Sequence, residues 1–214
     1  MIRFILGRLV KAVFILLAIL IVNFLLIHAA PGDPAAVMAG EAGAADEKFL
    51  ADLRTRFGLD QPLYVQLWTY LKGAAQLDLG FSYRQQMPVA DLIADRLPAT
   101  LLLTGVAFVL SLVLGVIAGV AASARQGSWS DTIISTLALL FYATPLFWVA
   151  LMAVLVFSVW LEWLPGFGYS TIGAGYTGLA HVLDVARHLV LPASTLGLFF
   201  MAIYMRMTRA SMLE

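Results

Sequence analysis

The chain has 214 residues, of which 62% are hydrophobic and only 12% charged, against roughly 45–50% apolar and about 25% charged in ordinary soluble domains. Its 13 cations balance its 13 acids and Cys is absent. There is therefore no basic footprint for nucleic acid, no polybasic lipid-binding tract, and no thiolate metal site, disulfide or cysteine nucleophile.

Such a composition belongs in a bilayer, and the first element in chain order fits one. Ala12 to Ala30 is uncharged; at about 1.5 Å per residue it reaches roughly 28 Å, close to the hydrocarbon thickness. Arg3, Arg8 and Lys11 precede it as in a secretory leader. The apolar stretch exceeds the roughly 7–15 residues of a leader, however, and His28 stands where cleavage requires a small residue, so a retained span is expected.

Residues 31–96 form a long, more polar segment with six cations and nine acids. It opens with the turn-rich "APGDP" (Ala30 to Pro34). Phe49, Leu50, Leu53 and Phe57 then recur at helical spacing between Asp46 and a terminating Gly58. A second helix is expected over Pro62 to Gly73, with Asp60 near its start and Tyr64, Leu67, Trp68 and Leu71 on one face. A third, short one over Val89 to Leu97 runs into Pro98. These are expected as small helices lying on the outer ends of the spans.

Leu97 to Ala124 and Thr132 to Leu161 are uncharged and long enough to cross. In the first of these, Ala107, Ser111, Gly115, Gly119 and Ser123 recur every four residues, a small-residue face that lets another helix backbone approach closely. The next contains "YATPLFW", Tyr142 to Trp148. Pro145 there frees the carbonyl of Phe141, so a kink or hinge is expected, with Thr144 a candidate to meet the freed polar group. A structural kink and a pathway-lining one remain equal readings. Trp129 marks one interface, Trp160 and Trp163 the other.

The chain ends with a shorter apolar run, Leu189 to Met205, then Arg206, Arg209 and Glu214. Ahead of it, His181, Asp184 and His188 could share a helical face and bind metal, but an interfacial helix leading into the span is the preferred reading, and no metal or catalytic residue is assigned. Lys and Arg gather before the first span, at Arg125 and after the last, which places those flanks and the N-terminus in the cytoplasm and residues 31–96 and 162–188 outside. The expected fold is all-α and polytopic. Its parts are residues 1–30 (flank and first span), 31–96 (extracytoplasmic helical segment) and 97–214 (core, with spans near 98–123, 132–160 and 189–207). No Asp, Glu, Lys or Arg falls within the apolar runs Ala12–Ala30, Leu97–Ala124, Thr132–Leu161 and Leu189–Met205, so an ion-coupled carrier lacks its relay. GxxxxGK[ST] is absent, so any nucleotide is bound by another subunit, and GxSxG and HExxH are absent too.

The strings "MIRFILGRL", "HAAPGDP", "FGLDQPLYVQ", "LDLGFSY", "PVADLIADRLPATL", "GSWSD", "TPLFWVAL", "WLPGFGY", "RHLVLPA" and "RMTRASMLE" occur in this order. Together they resemble the B-type permease subunit of bacterial dipeptide and oligopeptide ABC importers, a group that includes glutathione and nickel permeases. The resemblance covers essentially the whole chain. It implies a non-catalytic subunit with the transmembrane domain of a type I ABC importer, in the bacterial inner membrane. The implied partners are a second, C-type permease, two ABC ATPase subunits that bind ATP and Mg, an extracytoplasmic substrate-binding protein and the lipid bilayer; no nucleic acid and no cofactor is bound by this chain. Peptide is the expected substrate, with nickel or glutathione the alternatives.

Such permeases have six spans, about four of which are expected here. They carry an Ala-Arg-Ala-Lys-Gly-like coupling motif after "TRASMLE", which this sequence lacks, so the chain is expected to stop as the coupling element begins. Arg206, Arg209 and Glu214 are read as its remnant; anchoring at the inner interface is the plainer role for each arginine. Residues 32–96 are expected either to dock the binding protein or to cap the spans. The alternative from another class is a self-sufficient four-span scaffold or assembly protein.

Overall fold

The computed structural model describes residues 1–41, 46–82 and 84–213. The chain divides into two compact units, Met1–Asp95 and Arg96–Glu214.

In the first unit, α1 (Ile2–Ala29) is one uninterrupted helix, long and apolar enough to cross a membrane. Its side chains are almost all exposed, as expected of a helix solvated by lipid, except where Phe24 is covered. The Phe24 ring lies 5.9 Å from that of Tyr70 on α4 (Leu63–Ala75). One residue turn on, a hydrogen bond of 2.9 Å links His28 Nε2 to Gln66 Oε1. Gln66 Nε2 in turn donates to the carbonyls of Leu59 and Gln61.

The "APGDP" turn leads directly into a helix not expected from sequence, α2 (Pro34–Glu41). Pro at a first helical position is pre-organised and loses no needed hydrogen bond, and Asp33 Oδ1 accepts from the Ala35 N–H at 3.0 Å. Helix α3 (Glu47–Phe57) follows, with Asp46 accepting from the Lys48 N–H. It ends at Gly58, whose φ of 60° is left-handed. The Gly58 and Leu59 amides return to the carbonyls of Thr55 and Arg54, the paired closing bonds that a glycine after a helix permits. Ala35, Ala39 and Leu53 are buried where α2 meets α3, with Met38, Phe49 and Leu50 packed around them. Helix α4 starts after Pro62 without a side-chain cap, so Asp60 is not its capping residue. Tyr64 and Trp68, expected on its apolar face, are 74% and 69% exposed. A two-residue hairpin, β1 (Phe81–Ser82) with β2 (Met87–Pro88), closes this segment.

The separate short helix expected before Pro98 does not exist. Helix α5 runs unbroken from Val89 to Ser123 with Pro98 inside it. The lost backbone bond is local, and the Thr100 hydroxyl donates to the Arg96 carbonyl at 3.0 Å just beyond.

In the second unit, the stretch expected as one kinked span is two helices. Helix α6 (Trp129–Ala143) and α7 (Leu146–Val154), the latter extended by a π-helical turn to Trp160, meet at 98°. Ser128 caps α6 through the Asp131 amide. The last helix, α8 (Gly178–Leu213), begins eleven residues before the run expected to span, because the His181–His188 segment is continuous with it. Ala122, Ala138, Ala202 and Met205 form a buried cluster that joins α5, α6 and α8. The described residues thus contain three helices long and apolar enough to cross a membrane, or four if the bent pair counts as one.

Candidate functional site

The small-residue face of α5 lies against α8. Ala107, Ser111, Gly115 and Gly119 are all buried. A Cβ at Gly115 would fall 2.6 Å from the Tyr204 Cβ, and one at Gly119 2.6 Å from the Thr208 Cβ and 2.8 Å from the Met205 carbonyl oxygen. Gly197 on α8 returns the arrangement, its open side filled by Leu110. At the next turn Ala122 is buried and Ser123 only half so. Steps of four residues drift about 40° each around a helix of 3.6 residues per turn, so a fifth position on one face falls back by one.

At Pro145 the chain does more than kink. Thr144 is extended (ψ 136°) and Pro145 starts α7 afresh. The Thr144 hydroxyl donates to the Leu140 carbonyl at 2.7 Å rather than to that of Phe141. On the concave side of the bend, an open groove of about 810 Å³ is lined by Thr144, Pro145, Trp148, Met152, Leu191 and Thr195 among others. Its surface is nearly all carbon.

The described cations at the end of α8 are held differently from each other. Arg209 grips Asp131 with two bonds, Nε to Oδ1 at 2.9 Å and Nη2 to Oδ2 at 2.8 Å. Asp131 is fixed further by the Gly127 amide and the Ser135 hydroxyl. Arg206 lies with its Cζ 4.8 Å from the centre of the Tyr142 ring, a cation–π contact. Tyr142 stacks in turn on Phe199 at 5.5 Å. Between these contacts is a second groove, about 340 Å³, with Ser135, Leu139, Tyr142, Met205, Arg206 and Arg209 on its walls. Glu214 lies outside the described residues.

Asp131 and Tyr142 were not singled out from sequence. The only available signal was that Asp131 is the one acid at the start of that span; its basic partner is at the far end of the chain. Asp184 and His188 do come together, but Asp184 accepts from both the Thr171 amide and hydroxyl at 2.7 Å, and His188 Nδ1 donates to the Asp184 carbonyl at 2.8 Å. These bonds tie the loop before α8 to its first turns. In the first unit, Arg54 pairs with Asp33. The Arg54 guanidinium, then the Ala35 amide, hold the Asp33 carboxyl below its ordinary value of 3.8.

Three apolar helices of membrane-crossing length, with a sharply bent pair of apolar helices beside a groove, define a multi-pass helical membrane protein. Residues 96–214 match the family described as binding-protein-dependent transport system inner membrane component, and residues 1–104 match its N-terminal counterpart. The chain belongs to this family of inner-membrane transport components. Relatives in Brucella abortus and Brucella melitensis, named for a peptide transport system permease, are 42% identical over 98% of this chain and 64% of their own length. A dipeptide transport system permease protein of Alkalihalophilus pseudofirmus is 36% identical over all of this chain and 68% of its own. A glutathione transport system permease protein of Escherichia coli O6:H1 is 37% identical over 100% and 65%. The chain thus spans about two thirds of the length of these curated relatives.

Proposed function

We propose that this chain is the permease subunit of an ATP-driven importer of small peptides and forms part of the membrane path. The observation that carries this reading is the match across residues 96–214, the region that holds the broken helix pair, both grooves and the packed α5–α8 face. The names of the relatives support peptide as the substrate class; glutathione, itself a peptide-like acid, is within that class.

In this reading the chain is non-catalytic. Two ATPase subunits bind ATP and Mg, and a second, C-type permease completes the path. A binding protein delivers substrate to the extracytoplasmic side, where residues 31–96 lie, while the N-terminus and the Leu213 end of α8 are cytoplasmic. Close backbone packing of α5 on α8 makes those two helices move as one body, and the break at Pro145 allows α7 to move separately from α6. The Asp131–Arg209 clamp sets the α8 end that leads toward the ATPases. Arg206 and Arg209 are thereby given different tasks.

The test is reconstitution of the full-length permease with its partner subunits in proteoliposomes and measurement of ATP-dependent uptake of a labelled dipeptide. Uptake that needs both ATP and the binding protein is expected. Uptake of glutathione alone would narrow the substrate, and no ATP-dependent uptake of either would overturn the reading.

A further inference from the structure

Arg206 is placed unusually for a cation near the end of a membrane helix. Asp131 faces Arg209, and Tyr142 faces Phe199, so α6 and α8 run antiparallel and Arg206 starts about level with Ser135. A long basic side chain in that position ordinarily extends toward the nearer helix end and water. Arg206 instead reaches the other way, toward Tyr142 near the far end of α6. Among the described residues no carboxylate lies within ion-pair distance of it, whereas Arg209 beside it is neutralised by Asp131. The result is an exposed guanidinium with no carboxylate partner among the described residues, oriented by an aromatic ring, on the wall of a groove whose remaining lining is largely apolar.

We propose that this groove is a carboxylate-binding subsite on the import path, with Arg206 the group that meets the C-terminal carboxylate of a small peptide. The inference rests on the importer reading above and adds to it a residue and a ligand group. A guanidinium offers parallel donors that match a carboxylate. Asp131 makes the site selective in the other direction: with Arg209 already paired, the groove carries one free positive charge and suits a monoanionic end. The volume, about 340 Å³, is at the small end of the range for small-molecule sites. An anionic phospholipid offers a similar oxyanion, and the test below separates that occupant from a peptide.

Residues 1–214 contain no cysteine, so Leu139→Cys adds one thiol to the groove of the full-length, assembled permease, otherwise made free of cysteine, in phosphatidylcholine nanodiscs. Its labelling by a maleimide is followed by mass, with alanyl-alanine or alanyl-alanine amide present. The free dipeptide is expected to slow labelling about tenfold, as for one charge-assisted contact, and the amide to leave it unchanged. Arg206→Gln is expected to abolish the difference and Arg206→Lys, which keeps the charge, to retain part of it, so that a folding defect in the glutamine variant does not decide the matter. Equal effects of the two peptides, or protection that persists in Arg206→Gln, would overturn the assignment, as would protection that requires phosphatidylglycerol and no peptide. If the same assembly, reconstituted in proteoliposomes, imports labelled dipeptide while showing no protection, the subsite fails and the importer reading stands; if it imports none, the importer reading itself fails.

Discussion

Arg209 reaches across 78 residues of sequence to hold Asp131 by both carboxylate oxygens, and so fastens the first turn of α6 to the last turns of α8. Because Asp131 is only 8% exposed at its side chain and also binds the Gly127 amide and the Ser135 hydroxyl, the pair is oriented from both sides.

Removing either partner leaves the other uncompensated in a semi-enclosed place. Asp131→Asn and Arg209→Gln are each expected to lower the thermal midpoint of the detergent-solubilised protein, and the double variant is expected to lose little more than either single one. Additive losses in the thermal unfolding of the three variants would show that the two residues act independently.

Gly115→Ala is expected to cost about 1–3 kcal/mol, the usual range for forcing volume into a packed interface, since the new methyl meets the Tyr204 Cβ at 2.6 Å. Gly105 on the same helix has nothing within 4 Å of a built Cβ. Gly105→Ala should therefore be neutral or stabilising by up to about 1 kcal/mol through helix propensity alone. Unfolding of both variants in parallel checks the contrast.

Pro145→Ala restores an N–H and lets α6 continue into α7. The backbone at spin-labelled Leu137→Cys and Leu151→Cys, both exposed, would lie about 14 Å apart through space with a 98° bend and about 21 Å apart in a straight helix. The pulsed electron–electron distance is expected to lengthen in the alanine variant, and transport-coupled ATP hydrolysis to change more than membrane insertion. An unchanged distance would assign the bend to tertiary packing rather than to proline.

Asp33 titrates below its ordinary value because Arg54 and the Ala35 amide stabilise its charged form. A carboxyl whose folded pKa is depressed contributes stability that is complete above the unfolded value, here 3.8, and is lost as pH falls through the lowered folded value. Asp33→Asn should thus destabilise the α2–α3 pair at neutral pH, and the difference from wild type should vanish on acidification below the folded pKa. Limited proteolysis of the 31–60 region as a function of pH provides the readout; a difference that persists at the acid limit would assign the effect to the Ala35 contact instead.

Much of the architecture was legible in the residues. Long uncharged runs must be helical in lipid, where each backbone polar group has to be satisfied within its own segment, and α1, α5 and α8 follow from this. The Ala107–Gly119 face was legible because α8 comes so near that a Cβ added at Gly115 would fall 2.6 Å from the Tyr204 Cβ, and Gly58 because a helix stop there uses a left-handed φ. Proline marked where α6 ends. The size of the bend, 98°, and the packing of α7 on α8 were not legible from it. Nor could local pattern join Asp131 to Arg209 or turn Arg206 back over Tyr142. Those contacts depend on the register of two antiparallel helices distant in sequence, and charge along a chain carries no record of which opposite charge the fold will bring beside it. The sequence by itself determined which segments leave water; tertiary packing decided which polar side chains left with a partner and which without.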